Sequence, residues 1–165
     1  MFDFAPAADC STEERYAQLL DAARAITDGE PDGVANMANV ASLLGEFIPD
    51  CNWAGFYRVG PDKNGKDELV LGPFVGRPAC IRISFGVGVC GAAAQSGESQ
   101  MVEDVHAFPG HIACDAASQS EIVVPIIRGG NVIAVIDLDS PTKARFGKGD
   151  LTGVEALAEL MAERI

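Results

Sequence analysis

Three of the five cysteines and both histidines fall within residues 77–125, RPACIRISFGVGVCGAAAQSGESQMVEDVHAFPGHIACDAASQSEIVVP. Thiols and imidazoles gathered in one stretch can act as redox nucleophiles, general bases or metal ligands. Spacing narrows the choice. Cys80, Cys90 and Cys114 form no C-x-x-C, which argues against a thioredoxin-like dithiol and against a zinc knuckle. A zinc site built from these thiols and His111 is chemically conceivable, but its spacing is irregular. Cys114 stands in a polar segment, His-Ile-Ala-Cys-Asp, where filling a core explains it poorly and a reactive thiol explains it better. Cys10 reads as exposed and incidental. Cys51, just before an apolar run, reads as a small core filler.

Carboxylates supply a second signal. Asp137 and Asp139 end the apolar run NVIAVIDLDS two residues apart, so on a strand they share one face. Glu121 opens the neighbouring apolar run. Such acids are either solvated strand ends or a cluster that binds a cation or shares a proton, since burying them unpaired is costly. Residues 86–91, GVGVCG, match the outline of the dinucleotide fingerprint. A Rossmann unit then needs a parallel strand ending in an acid; Glu103 and Asp104 come too soon, and Pro109-Gly110 breaks the segment after them. The glycines are therefore expected to make a tight turn into a short helix. The helix N-terminus after Gly88 would offer N–H groups to a small carboxylate and lower the pKa of Cys90.

These residues need a scaffold, and the hydrophobic pattern supplies one. Residues 1–10 read as a flexible arm preceding a single domain, 11–165. Ser11 with Glu14 forms a capping box, and Tyr16, Leu19, Leu20, Ala23 and Ile26 recur at helical spacing. Asp32 caps a second helix with Met37, Val40, Ala41, Leu44 and Phe47 on its apolar face. A hairpin comes next, strands at 53–59 and 69–75 around the turn at 61–66, then a short strand at 81–85. A short helix is expected at 90–95, a strand near 100–103, and a loop over 104–118. Strands at 121–128 and 132–138 flank Gly129-Gly130-Asn131, a strong hairpin signal. Asp150 is read as the cap of a last helix. Tight turns make neighbouring strands antiparallel, which predicts an α+β domain with helices packed on a mainly antiparallel sheet.

Composition bounds the function. At 165 residues, 48% hydrophobic and 22% charged, the chain suits one globular domain. A net charge of −12 disfavours phosphate backbones and anionic membranes. No apolar run is long enough to span a bilayer, and the first ten residues lack a signal-peptide pattern, so a cytoplasmic protein is expected. In a reducing compartment, an odd set of thiols points to core fillers, metal ligands or catalysts rather than static disulfides.

Taken together, NWAGFY (52–57), LVLGPFVGRPAC (69–80), GVCG (88–91), EDVHAFPGHIACDAAS (103–118), SEIVVP (120–125) and DLDS (137–140) resemble the free methionine-(R)-sulfoxide reductases, a family built on a GAF domain. The resemblance runs from Asn52 nearly to the C-terminus. It departs in a longer turn at 61–67 and in Val87, where a basic residue is expected. It implies a GAF-type fold and reduction of the free amino acid sulfoxide, not of the peptide-bound form. Cys114 stands where the family's nucleophile stands, which implies a sulfenic acid on it. A second thiol, Cys80 by position or Cys90 as the alternative, would then resolve that acid to a disulfide. Thioredoxin, supplied by NADPH and thioredoxin reductase, would recycle it, with no bound cofactor and no metal. A homodimer built through the helices is also implied.

Physical chemistry adds roles. A sulfoxide oxygen leaves only when protonated, so an acid must stand beside it, and the cluster of Glu121, Asp137 and Asp139 can supply one. The same cluster can hold the substrate's ammonium; Asp139 and Glu121 are the candidates for the oxygen and Asp137 for the amine, a division among the three that the sequence leaves open. Backbone N–H groups around Ile112, Ala113 and Cys114 are expected to hold the carboxylate, under a closing loop. Trp53 and Tyr57, four apart on one strand face, would wall the methyl group. The competing function is a GAF sensor that binds a small ligand without turnover.

Overall fold

Ser11 begins the first helix, α1 (Thr12–Ile26), with the reciprocal bonds its capping box requires: the Glu14 N–H donates to Ser11 Oγ at 3.2 Å and the Ser11 N–H to Glu14 Oε2 at 2.8 Å. In this computed structural model, which describes residues 4–110 and 116–165, α2 (Gly33–Phe47) comes next, its first turn held by Asp32 Oδ1, which accepts from the N–H groups of Val34 and Ala35. Residues 4–10 form neither helix nor strand, yet Phe4 packs against the core and the Ala7 N–H donates to Gln18 Oε1 at 2.8 Å.

The strands are β1 (Trp53–Pro61), β2 (Asp67–Gly76), β3 (Arg82–Ser84), β4 (Gln100–Val102), β5 (Ser120–Arg128) and β6 (Asn131–Ser140). They form a six-stranded sheet in the order β3-β2-β1-β6-β5-β4. Every pairing among the described residues is antiparallel, as the tight turns predict. Gly129 and Gly130 both take positive φ in the two-residue turn between β5 and β6, the geometry that matches the twist of a hairpin.

Alternation along the strands divides the core into two layers. Ala54, Phe56, Ile122, Val124, Ile126, Ala134, Ile136 and Leu138 face one side. There α2 packs on β1 and β2, α4 (Lys148–Ala162) packs on β5, and α1 packs against both helices. Trp53, Tyr57, Leu69, Val123 and Val135 face the other side, where α3 (Gly88–Ser96) supplies Val89, Cys90, Ala93 and Ala94. Among the described residues, the candidates Trp53, Tyr57, Cys80 and Cys90 lie in this second layer, and Glu121, Asp137 and Asp139 line the cleft on the same side.

Two expectations about elements are corrected. α4 begins at Lys148 after the cap residue Gly147, so Asp150 is the third residue of the helix; its Oδ2 reaches back to accept from the Gly147 N–H at 2.9 Å. The sequence signal was an acid able to cap, and the acid does cap, from inside the first turn. Among its described residues, the segment read as loop over 104–118 includes a 3-10 turn, Val105–Ala107, started by Asp104, whose Oδ1 accepts from the His106 N–H at 3.1 Å.

Candidate active site

The site is a cleft on the α3 side of the sheet, and register decides what forms its floor. Trp53, Asp139 and Glu121 occupy directly paired positions on β1, β6 and β5. One row further, Gly55, Asp137 and Val123 are likewise aligned. Side chains two apart on a strand share a face, so the three acids gather on one surface beside Trp53. All four residues line the cleft, with Tyr57, Arg77, Pro78, Ala79, Cys90 and Ser118.

The aromatic wall is tied by stacking and by hydrogen bonds. Trp53 stacks on Tyr57 with ring centroids 5.8 Å apart and on Phe74 at 5.2 Å. Its Nε1–H donates to Arg77 O at 3.2 Å, and the Tyr57 hydroxyl donates to Cys80 O at 3.0 Å. Both bonds anchor the segment carrying Cys80 to the wall. Gly76, opposite Trp53 in the ladder, has φ +127°, and a Cβ there would stand 2.8 Å from Trp53 Cδ1. Only glycine combines that backbone with that contact.

Burial controls the electrostatics. Glu121 and Asp137 are both buried, and their carboxyls are pushed well above the ordinary range, first by desolvation; the negative charge of Asp139 raises both, and that of Asp137 raises Glu121 further. The Cys90 thiol, also buried, points its Sγ toward Glu121 Oε1 at 3.9 Å. Its pKa is raised, mainly by desolvation and then by Asp137 and Glu121. The expectation that the α3 N-terminus would lower it is therefore wrong. α3 does begin at Gly88, but a buried thiol beside two carboxylates loses more from desolvation and like charge than a helix end returns.

Other expectations find their places. Cys80 is disulfide-bonded, whereas Cys10, Cys51 and Cys90 are free thiols. Cys51 packs partly buried against the helix-side core and donates to Trp53 O, its pKa pushed up to about 12 chiefly by burial. His106 is exposed on the surface. His111, Ile112, Ala113 and Cys114 lie outside the described residues, so the carboxylate site and the nucleophile assigned there are neither placed nor displaced. Two features escaped the sequence reading. Phe74 stacks on Trp53 because Gly55 lets the β2 backbone approach, and Ser118 enters the cleft while accepting from Asn52 Nδ2 at 3.3 Å. Gly55 opposite Phe74 was a visible signal for the first; nothing local marks the second.

A model of the family described as the GAF domain matches residues 13–165, and the chain belongs to that class. Protein YtsP of Bacillus subtilis (strain 168) is 50% identical over 153 residues, 93% of this chain and 92% of the relative. Free methionine-R-sulfoxide reductase of Escherichia coli (strain K12) is 47% identical over 144 residues, 87% of this chain and 84% of the relative. The X-ray structure of free methionine-R-sulfoxide reductase from Neisseria meningitidis in complex with its substrate is similar with a TM-score of 0.92 at 41% identity, across 99% of this chain and 95% of that one. Within the GAF class, the chain is a member of the free methionine-(R)-sulfoxide reductase family.

Proposed function

We propose that this reductase-family enzyme converts free L-methionine-(R)-sulfoxide to L-methionine at the cleft beside Trp53. The observation that carries the reading is the acid cluster: Glu121 and Asp137 are buried with raised pKa values on the floor of a cleft whose rim leads to an oxidised Cys80. Carboxyls whose pKa is raised by burial hold their protons to higher pH and can give one to a sulfoxide oxygen. Once ionised, the same groups can hold an ammonium.

Atoms and electrons balance at each step. Cys114, as thiolate, attacks the sulfoxide sulfur while the oxygen takes a proton from the pair Asp139 and Glu121. The S–O bond breaks, methionine leaves, and the oxygen remains on Cys114 as a sulfenic acid. Cys80 attacks that sulfur, expelling water and forming a disulfide. A dithiol of thioredoxin reduces the disulfide by exchange and is itself oxidised, recharged through thioredoxin reductase and NADPH. No bound cofactor is needed. The disulfide at Cys80 and the burial of the Cys90 thiol support Cys80 over Cys90 as the resolving residue. Asp137 binds the substrate amine, and N–H groups at Ile112 and Ala113 bind its carboxylate. Trp53 and Tyr57 receive the methyl group. A site that neutralises both termini rejects a substrate whose amine or carboxylate is tied in an amide, because a buried charge is then left unpaired. A homodimer associated through its helices completes the reading.

Single-turnover chemistry tests it. Reduced protein is mixed with free methionine-(R)-sulfoxide, its (S) epimer and the N-acetylated (R) form, and methionine released and thiols lost are counted. Methionine from the free (R) form alone, with two thiols lost for each methionine released, is expected. Ligand binding without methionine release would replace the enzyme with a GAF ligand-binding module.

A further inference from the structure

Cys90 from α3, Glu121 from β5 and Asp137 from β6 converge so that one ligand atom of each lies within 4.8 Å of the others. All three side chains are buried. The cluster is also incompletely satisfied. Asp137 is only 6% exposed, lines the cleft, and its Oδ1 has no hydrogen-bond partner. A buried carboxylate oxygen without a donor is costly and marks a place for a cationic guest.

The donor set says which guest. One sulfur and two carboxylate oxygens suit a borderline-soft ion that accepts four ligands, not Mg²⁺ or Ca²⁺, which ask for six or more oxygens. Tetrahedral Zn²⁺, with bonds of roughly 2.3 Å to thiolate and about 2.0–2.2 Å to carboxylate, sets its donors about 3.3–3.7 Å apart. The Cys90 Sγ and Glu121 Oε1 stand at 3.9 Å, so small side-chain rotations bring them to that span. All three residues line the cleft, which leaves a fourth ligand to come from it.

We propose that Cys90, Glu121 and Asp137 form an exchangeable Zn²⁺ site. Two positive charges there offset a thiolate and two carboxylates, which give up their protons to solvent as the ion binds. The site overlaps the place assigned above to the substrate's ammonium, so, resting on the proposed reductase activity, Zn²⁺ is a competitive inhibitor of sulfoxide reduction.

The test uses the oxidised protein, in which Cys80 is held in a disulfide as it is here, so that its thiol cannot serve as a ligand. Co²⁺ stands in for Zn²⁺ and reports its ligands by absorption. One equivalent is expected to give tetrahedral visible bands and a near-ultraviolet thiolate-to-cobalt band, both erased by one equivalent of Zn²⁺. Cys90→Ala and Cys90→Ser should lose the near-ultraviolet band, and Asp137→Asn should weaken Zn²⁺ at least about tenfold, the scale of losing a metal-site interaction. Cys51→Ser should change neither. Circular dichroism and Tm confirm that each variant is folded. No thiolate band in the wild-type protein, or a band that survives in both Cys90 variants, would overturn the site. The inhibition is separable: Zn²⁺ that binds with these signatures while no sulfoxide is turned over upholds the site and sinks the reductase reading. Turnover with no cobalt signature does the reverse.

Discussion

Asp137 and Glu121 share a problem: each is a buried acid with other acids beside it. The unfolded chain releases their protons in the ordinary carboxyl range, while the folded chain retains them to higher pH. Across that window the native state binds more protons, so these two residues make stability fall as pH rises through it. Glu121→Gln should therefore raise Tm more at pH 8 than at pH 5, measured by calorimetry; an equal shift at both would mean that the carboxyl is ionised throughout. Asp139→Asn should slow the first methionine-releasing turnover by about 10²-fold or more, the usual weight of a positioned general acid. An unchanged single-turnover rate would remove Asp139 from the chemistry. Cys114→Ser should abolish turnover, while Cys80→Ser should still release about one methionine per chain and then stall with thioredoxin, as sulfenic acid formation without a resolving thiol requires. Steady-state rates equal to wild type in Cys80→Ser would transfer the resolving role to Cys90. At this scale the sequence was legible where strand alternation aligned the acids. It misled at Cys90, because the depth at which α3 buries that thiol depends on contacts with β5 and β6 that no local pattern contains.

Among the elements, α1 and α4 meet closely at Gly153. A Cβ on Gly153 would lie 2.1 Å from Tyr16 Cγ, inside the ring rather than at the end of a flexible chain. The Tyr16 hydroxyl is also fixed, donating to Asp150 Oδ1 at 3.2 Å, while Arg145 Nη1 donates to the other carboxylate oxygen at 3.3 Å. The ring cannot step aside without breaking that network. Gly153→Ala should thus destabilise by about 1–3 kcal/mol, the usual cost of overpacking, despite the higher helix propensity of alanine. Denaturant titration would show it as a lower midpoint at unchanged slope; a stabilised variant would mean that α1 can move away freely. Helices and hairpins were legible almost throughout, since capping residues, apolar spacing and the Gly129–Gly130 turn act locally. The start of α4 was not. Asp150 can cap from the cap position or from the third residue of the helix, and in the latter place it also accepts from Tyr16, far away in the chain, and from Arg145 just before the helix.

For the molecule as a whole, the sheet ends in strands of three residues each, Arg82–Ser84 and Gln100–Val102. Such edges offer little template for another chain. Pro125, on β5 beyond the reach of β4, has no N–H to offer an added strand. Association through the sheet is therefore disfavoured, and a homodimer should meet through its helices. Hydrogen exchange at high and low concentration should show concentration-dependent protection in the helical layer and none in β3 or β4; protection confined to β4 would point to edge pairing instead. No helix among the described residues is long and apolar enough to cross a membrane. The antiparallel α+β architecture was legible from turn chemistry alone. The strand order was not, because the neighbours β1 and β6 are set by packing between segments far apart in the chain.

The sequence contains one tryptophan, and the fold puts it in the wall of the cleft, 4% exposed, between Tyr57 and Phe74. Excited at the red edge, where tyrosine is dark, the protein emits light from that wall and nowhere else. The chain thus carries its own optical gauge: intensity, wavelength and lifetime report on whatever enters the cleft and on its protonation, with no label attached.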